Sequence, residues 1–280
     1  MINEELKNEV YDYWNEKSCG SRFSNKEKFS KDYFEEIENH RYLVEPEIFL
    51  FAQFTRYHGK KLLEVGVGAG TDFLQWVRAG TKAYGIDLTP LAIEHIRKRL
   101  EVYNLTAEDV RVGDCENIPY EENTFDIVYS YGVIHHTPDT EKALKEIIRV
   151  CRPGGVCKIM IYNRHSLTAF YHWIYNGLLK GRPWKSISQC LYDCAESKGT
   201  KAFTKKEIED ILKKMPVDSI RITSILTYYD KCENYNVILN IIAKSLAYIL
   251  GGNRVGWFLH IQFNKKMGRV KRLAKMSMAE

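Results

Sequence analysis

A run of apolar residues that ends in closely spaced glycines most constrains what this chain can fold into. The sequence LLEVGVGAGT at residues 62–71 predicts a buried strand followed by a tight turn. Further on, YGIDL at residues 84–88 predicts a second strand whose tip carries Asp87. Glycine lets a ligand approach the backbone, and a carboxylate accepts hydrogen bonds from ribose hydroxyls, so the pair predicts an α/β sheet that binds a nucleoside.

The spacing of the glycines separates two classes of nucleotide-binding turn. The dinucleotide fingerprint G-x-G-x-x-G would need its third glycine at position 71, which is Thr71. Here the glycines are Gly66, Gly68 and Gly70, and Glu64 stands two residues before the first. The spacing therefore disfavours an oxidoreductase that binds a nicotinamide dinucleotide.

Ordered motifs between residues 60 and 162 resemble those of the class I S-adenosylmethionine-dependent methyltransferases. The pattern E-x-G-x-G-x-G at 64–70 resembles motif I, and GIDL at 85–88 resembles motif II. GDCENIPY at 113–120, FDIVYS at 125–130, the histidine pair at 135–136 and RVCRPGG at 149–155 follow in the same order as in that family. The likeness is greatest to the small-molecule branch that includes the quinone-biosynthesis enzymes.

The resemblance implies an activity and a cofactor. The expected enzyme transfers a methyl group from S-adenosyl-L-methionine to a small-molecule or lipid-like acceptor by in-line displacement, which leaves S-adenosylhomocysteine. Two alternatives stay open at this point. One is an RNA or protein methyltransferase, and the other is a non-catalytic protein that binds the nucleoside cofactor.

Alternating strand and helix patterns predict an α/β fold with a doubly wound, mostly parallel sheet. We expect seven strands, at about 61–65, 82–86, 109–112, 125–130, 156–162, 220–229 and 255–263. Helix N-caps are predicted at Thr89, at Asp139 or Thr140, and at Thr204. The resemblance implies that strand 7 is antiparallel and lies between strands 5 and 6.

The same pattern divides the chain into segments. Residues 1–45 are polar and aromatic, and the resemblance implies a helical N-terminal lid over the cofactor and acceptor. Residues 46–264 form the methyltransferase domain, with an aromatic insertion after strand 5 at residues 163–201. Residues 265–280 form a basic tail.

Several cofactor-binding residues follow from the strand tips and the resemblance. The three glycines should let the backbone pass close to the methionine and ribose parts of the cofactor. The resemblance implies that Glu64 holds its ammonium group, that Asp87 accepts the ribose hydroxyls, and that Asp114 accepts the adenine amino group. Three further residues belong to the predicted set. Leu88 is expected to form an apolar wall for the adenine ring, and the Cys115 backbone is expected near the adenine amino group. Ser130 lies at the end of strand 4.

The histidine pair is the candidate catalytic group. His135 and His136 follow strand 4, where the donor methyl is expected, and a histidine can remove a proton at neutral pH. His135 is the preferred general base, and a role in packing or in holding the loop is the alternative. No metal is expected, because the pair lacks a third ligand nearby in sequence, and Cys190 and Cys194 lack a second pair.

Charge and composition bear on partners and compartment. The net charge of +5 resides in residues 265–280, which carry six bases and one acid. This tail predicts either peripheral membrane contact or a solvated terminus. Nucleic acid is disfavoured, since SYGV at 130–133 stands where base methyltransferases carry [D/N]-P-P-[Y/F]. An acidic start without a signal-peptide core and an odd count of seven cysteines predict a cytoplasmic protein, and no oligomeric state is indicated.

Overall fold

A seven-stranded sheet forms the centre of the protein, with strand order β3-β2-β1-β4-β5-β7-β6. This computed structural model describes residues 2–16, 18, 20–232 and 237–267. Strands β1 to β5 pair in parallel, and β7 runs antiparallel between β5 and β6. The predicted α/β fold with one antiparallel strand is therefore confirmed. The strands are Lys61–Val65 (β1), Lys82–Asp87 (β2), Asp109–Val112 (β3), Phe125–Tyr131 (β4), Cys151–Tyr162 (β5), Val217–Ile225 (β6) and Phe258–Lys265 (β7).

Helices cover both faces of the sheet and carry the predicted caps. The side chains of Thr89, Asp139 and Thr204 each accept a backbone N–H at the start of a helix. The helices are Ile2–Glu16 (α1), Lys31–Val44 (α2), Glu47–Ala52 (α3), Thr71–Arg78 (α4), Pro90–Val102 (α5), Thr140–Val150 (α6), Leu167–Trp173 (α7), Ile187–Cys194 (α8), Lys205–Lys213 (α9), Val237–Leu250 (α10) and Gly252–Val255 (α11).

Two apolar layers hold these helices to the sheet. One layer packs α3, α4 and α5 against one face of the central strands. The other packs α6 and α9 against the opposite face. This is the doubly wound arrangement, and it leaves the carboxyl ends of β1 to β5 as the edge at which a ligand can bind.

Three strand boundaries differ from the sequence prediction. Strand β5, expected from residue 156, already pairs with β4 at Cys151, and the register of the pairing shifts before Val156. Strand β6 ends at Ile225 because the next residues bend around Asp230, which accepts hydrogen bonds from Thr227. Strand β7 starts at Phe258, since α11 occupies residues 252–255 and a Cβ at Gly256 would lie 2.2 Å from the Ile225 backbone.

Two regions outside the sheet converge on the same edge. The N-terminal region 1–45 contains α1, a 3-10 turn at Ser21–Phe23 and α2, and Tyr33 of α2 is joined to His95 of α5 by a 3.0 Å hydrogen bond. The region after β5 contains α7, a π-helical turn at Ile174–Leu178 and α8. Within the described residues, no helix combines the length and apolar character that crossing a bilayer requires.

Candidate functional site

The glycine-rich turn after β1 has backbone angles that ordinary residues avoid. Gly66, Gly68 and Gly70 have φ values of +79°, +52° and +75°. A Cβ at Gly66 would lie 2.2 Å from the Val133 side chain, and one at Gly70 would lie 2.7 Å from Ile96. Both conformation and packing therefore require glycine at these two positions.

Asp87 at the tip of β2 holds this turn in place. Its Oδ2 accepts a 3.0 Å hydrogen bond from the Gly68 backbone N–H, and its Oδ1 accepts from the backbone N–H and hydroxyl of Thr89. Burial raises the pKa of Asp87, and these hydrogen bonds oppose that rise. The carboxylate thus orders the turn and also lines the adjoining cavity, where it can accept hydroxyl donors.

Glu64 is a buried acid with an unused oxygen. Its side chain is 3% exposed, and its Oε2 has no hydrogen-bond partner among the described residues. Burial and the nearby Asp72 carboxylate raise the pKa of Glu64 well above its usual value, while Arg41 opposes them. A buried acceptor of this kind favours a cationic or hydrogen-bond-donating partner.

Asp72 and Arg41 form a network beneath the same cavity, and both also line it. Asp72 of α4 accepts hydrogen bonds from Arg41 of α2, from Tyr42 and from Tyr129. Arg41 also lies 3.1 Å from Glu45, so one guanidinium links two carboxylates. This network fixes α2 against the glycine-rich turn.

Asp114, after β3, pairs with the N-terminal helix. Its Oδ2 lies 2.6 Å from the Lys7 ammonium, which also contacts Glu116 at 2.9 Å. Burial lowers the pKa of Lys7, but the hydrogen bonds to these two acids outweigh it and the net shift is upward. Helix α1, which contributes Lys7, Val10 and Trp14 to the lining of the adjoining cavity, is thereby held in place.

A cavity of about 140 Å³ lies between the strand tips and α1. Two predicted cofactor-binding residues do not line it: Gly70 is the N-cap residue of α4, and Ser130 is fully buried with its hydroxyl unpartnered among the described residues. The structure brings the other predicted residues together around the cavity: Glu64, Gly66, Gly68, Asp87, Leu88, Asp114 and Cys115.

The two histidines after β4 occupy different environments. His135 is 0% exposed, lines neither of the two cavities described here, and has no hydrogen-bond partner for either ring nitrogen among the described residues. Burial and the neighbouring His136 lower the pKa of His135 well below its usual value. His135 is thus a neutral ring packed against Tyr162, with ring centroids 4.0 Å apart.

His136 lines the first cavity, but polar groups surround both of its ring nitrogens. Nδ1 lies 3.0 Å from the hydroxyls of Ser197 and Thr200. Nε2 lies 3.1 Å from Oε2 of Glu196, which also accepts a 2.9 Å hydrogen bond from Tyr162. The region after β5 thus contributes an acid to the histidine pair.

A second cavity of about 380 Å³ adjoins the first and has largely aromatic walls. Tyr162, Trp257 and Phe258 form one side, and Tyr13 and Phe23 come from the N-terminal region. Glu196 also lines this cavity. The residues that line both cavities, and so mark their boundary, are Trp14, Ser18, Gly20, Arg41, Tyr131 and Gly132.

Sequence reasoning did not select Asp72 or Glu196 as site residues. Asp72 follows the glycine motif directly, so its position at the start of α4 was an available signal. Glu196 lies in an aromatic insertion between α8 and α9, and its role depends on contacts with residues 34 and 60 positions away. No local pattern predicts such a contact.

The structure supplies the third ligand that the histidine pair lacks in sequence. In the described part of the chain, His135, His136 and Glu196 bring donor atoms within 4.8 Å of one another. The absence of a nearby third ligand is therefore not a valid reason to exclude a metal here. Cys190 and Cys194 lie on α8, where the first is buried and the second exposed.

Comparison with known proteins agrees with this geometry. Residues 63–159 match the family model described as "Methyltransferase domain". The chain is 36% identical over 133 residues to phthiotriol/phenolphthiotriol dimycocerosates methyltransferase 1 of Mycobacterium ulcerans, which is 47% of this chain and 46% of that protein. It is 32% identical over 111 residues to norajmaline N-methyltransferase of Rauvolfia serpentina, or 39% and 38% of the two chains. The chain thus spans less than half the length of these relatives.

A solved structure shares the fold over a longer stretch. Phosphoethanolamine N-methyltransferase 2 of Haemonchus contortus, in complex with phosphomonomethylethanolamine and S-adenosylhomocysteine, superposes with a TM-score of 0.59. The match covers 92% of this chain and 60% of that one, at 16% identity. Likeness at this identity shows the fold alone.

Proposed function

On the premise that residues 63–159 form a class I S-adenosylmethionine-dependent methyltransferase domain, we propose that the protein methylates a small-molecule or lipid-like acceptor bound in the second cavity. One observation carries the proposal. A cavity lined by nucleoside-holding residues adjoins a larger aromatic cavity, and the two share lining residues. Donor and acceptor could therefore meet without leaving the protein.

The residues around the first cavity fit the cofactor. The unpartnered Glu64 oxygen suits its ammonium group, Asp87 suits the ribose hydroxyls, and the bare backbone at Gly66 and Gly68 allows close approach. Leu88, with Asp114 and Cys115, is proposed to border the adenine. When bound, S-adenosylmethionine supplies an electrophilic methyl carbon on a sulfonium.

The remaining task of the chain is to orient the acceptor and exclude water. Trp14 of α1 stands at the boundary of the two cavities, and its ring centroid is 5.3 Å from that of His136. We propose the N-terminal region 1–45 as a lid over both cavities. Because neither histidine lines the second cavity, we propose that His135 packs the loop and that His136 positions Glu196.

The proposal is tested by binding and turnover. Isothermal titration should show binding of S-adenosylmethionine and S-adenosylhomocysteine, and Asp87→Ala should weaken it at least about a hundredfold, because charged hydrogen bonds to the ribose are lost. Asp210→Ala changes an exposed aspartate of α9 and is the matched control. Undiminished binding by Asp87→Ala would contradict the cofactor site. Release of S-adenosylhomocysteine with an added acceptor separates an enzyme from a non-catalytic binding protein.

We also propose peripheral contact with an anionic lipid surface. Helix α10 presents apolar side chains to solvent, with Tyr248 90% and Ile249 74% exposed. Residues 237–267 contain bases and no acid, which complements anionic lipid. The predicted contact through the basic tail falls largely on residues 268–280, which lie outside the described residues.

The exposed helix lies near the second cavity through a chain of contacts. Asn240 of α10 donates a 2.7 Å hydrogen bond to the Lys231 carbonyl. The adjacent Asp230 accepts hydrogen bonds from the backbone of Thr168 and Trp257, which line the cavity. A lipid-like acceptor would then have a short path from a membrane surface.

We propose the cytoplasm as the compartment. Six cysteines in the described residues are free thiols, which supports a reducing environment. Nucleic acid remains a disfavoured partner in this proposal.

A further inference from the structure

Glu196 is held in an unusual way for a loop residue. It has a φ of +55°, a conformation that side-chain-bearing residues rarely adopt. The side chain nevertheless remains 36% exposed, and it lines the second cavity. Backbone strain of this kind persists where surrounding contacts fix a residue in place.

Those contacts come from two side chains on the central sheet side of the cavity. The Tyr162 hydroxyl at the end of β5 donates to Oε2 at 2.9 Å, and Nε2 of His136 lies 3.1 Å from the same oxygen. Both groups engage Oε2, so Oε1 is the oxygen left to meet a molecule in the cavity. The carboxylate is thereby oriented rather than merely solvated.

The neighbours of Nδ1 allow two positions for the ring hydrogen of His136. The Ser197 hydroxyl, 3.0 Å from Nδ1, can donate to that nitrogen and leave the ring hydrogen on Nε2. The Thr200 hydroxyl already donates to the Ser197 carbonyl, so towards Nδ1 it can only accept a hydrogen that the ring carries on Nδ1. When the Ser197 hydroxyl is the donor, Nε2 carries the ring hydrogen and lies 3.1 Å from Oε2 of Glu196.

This environment keeps Glu196 ionised at neutral pH. Burial raises its pKa, but His136, Tyr162 and the nearby Arg22 more than offset that effect and the net shift is downward. An ionised carboxylate in an aromatic cavity accepts hydrogen bonds strongly. It also favours a ligand that presents an O–H or N–H group.

We propose that Glu196 receives the proton of the acceptor's nucleophile, so that the second cavity selects molecules methylated on oxygen or nitrogen. The inference rests on the proposed methyl transfer. The nucleophile forms its bond to the methyl carbon as the carbon–sulfur bond breaks and leaves its electron pair on sulfur. The proton passes to Oε1 of Glu196, and the charges of sulfonium and carboxylate cancel.

The test uses a matched pair of probes with protein saturated by S-adenosylhomocysteine. Phenol and anisole differ only in that a methyl group replaces the hydroxyl hydrogen, and NMR titration gives their affinities. Wild-type protein should prefer phenol about tenfold, and Glu196→Gln should remove most of this preference. Benzylammonium against benzyltrimethylammonium repeats the comparison for nitrogen and distinguishes an amine from a hydroxyl acceptor.

The controls separate the possible failures. Asp193→Asn makes the same acid-to-amide change in the same insertion, on an exposed side chain paired with Lys185, and should keep the preference. Failure of the wild-type protein to bind S-adenosylhomocysteine would sink the proposed function itself. Normal binding of that nucleoside with equal affinities for phenol and anisole, or with no probe bound, would overturn only the role of Glu196.

The positioning role of Tyr162 has its own readout. Tyr162→Phe removes a donor from the carboxylate and so raises the pKa of Glu196. The preference for phenol should then be lost at a higher pH than in wild type as pH falls. An unchanged pH profile would contradict this role. A preference that depends on added Zn²⁺ and vanishes with EDTA would replace the proton acceptor with a metal site at His135, His136 and Glu196.

Discussion

The two cavities share a boundary but are built in opposite ways. The first is formed mainly by strand tips and the turns that directly follow them, such as Gly66 after β1 and Asp87 at the end of β2. The second draws its walls from segments far apart in the chain, from Tyr13 to Phe258. The first cavity is therefore encoded locally, whereas the second depends on long-range packing.

The largest effect on stability is expected from a substitution of Asp230, which holds together segments around the second cavity. Asp230 is fully buried and accepts hydrogen bonds from Thr168, Thr227 and the Trp257 backbone. Asp230→Ala leaves several buried donors unpaired, so the free energy of unfolding should fall by about 3–5 kcal/mol. Phenol binding should be lost while the folded fraction still binds S-adenosylhomocysteine.

Urea denaturation and calorimetric titration measure these two effects. Asp218→Ala, at an exposed position of β6, is the control and should change little. Should Asp230→Ala fail to fold, Asp230→Asn retains the shape and should show a smaller loss. Equal weakening of both ligands would show that the two cavities are not independent.

A substitution in the glycine-rich turn should instead affect the first cavity and weaken cofactor binding. Gly66→Ala combines a φ of +79° with a Cβ 2.2 Å from Val133. The strain costs about 1–2 kcal/mol and the clash about 1–3 kcal/mol, so we expect a loss of about 3 kcal/mol and weaker cofactor binding. Gly181→Ala has a φ of +67° and no atom within 4 Å, so it should lose only about 1 kcal/mol. Equal losses for the two variants, measured by urea denaturation, would rule out the clash.

Glu45, on the wall of the second cavity, should make stability depend on pH. Burial raises its pKa from 4.5 to about 7, with Arg41 opposing the rise. The folded state therefore binds a proton that the unfolded state has lost between these values, so the stabilisation is present at low pH and is lost as pH rises through about 7. The stability of wild type relative to Glu45→Gln should fall by about 2–3 kcal/mol between pH 5 and pH 8.

Thermal unfolding of both proteins at the two pH values measures this difference. A difference that stays constant across the range would contradict a carboxyl that titrates near neutrality in the folded protein. Arg41 links Glu45 to Asp72, so the result also measures the electrostatic coupling between the two cavities.

The smallest effect on stability is expected on the exposed helix. Ile241→Glu with Tyr248→Glu changes two exposed side chains of α10, so unfolding should shift by less than about 0.5 kcal/mol. Flotation with phosphatidylglycerol vesicles should nevertheless fall more than about tenfold, because apolar contact is lost. The control, Lys206→Gln with Lys214→Gln, makes the same change of net charge at two exposed positions of α9 and its C-cap. Equal loss in that control would reduce the effect to net charge alone.

The features that could be predicted from the sequence are those in which neighbours in the chain are also neighbours in space. Glycine spacing and the acid in YGIDL sufficed to place Gly66, Gly68 and Asp87 at one edge. The parallel sheet followed from alternating patterns, and the caps at Thr89 and Thr204 from their side-chain chemistry. The end of β6 was misplaced because Asp230, rather than any local pattern, bends the chain there.

The sequence could not show which side chains are buried or which distant residues they contact. His135 and His136 look equivalent in sequence, yet one is sealed in the core and the other sits among Ser197, Thr200 and Glu196. Asp72 reads as an ordinary residue of a helix start, and its importance depends on Arg41, which arrives from α2. These distinctions arise only when distant segments meet.

The bridge from Lys7 to Asp114 and Glu116 has a consequence for the timing of catalysis. Lys7 and Asp114 both line the first cavity, so we expect loading and release of a nucleoside-sized molecule there to disturb two part-buried ion pairs. Mobile ions weaken such pairs. Exchange of spent cofactor should therefore quicken as ionic strength rises, even where the chemical step itself is indifferent to salt.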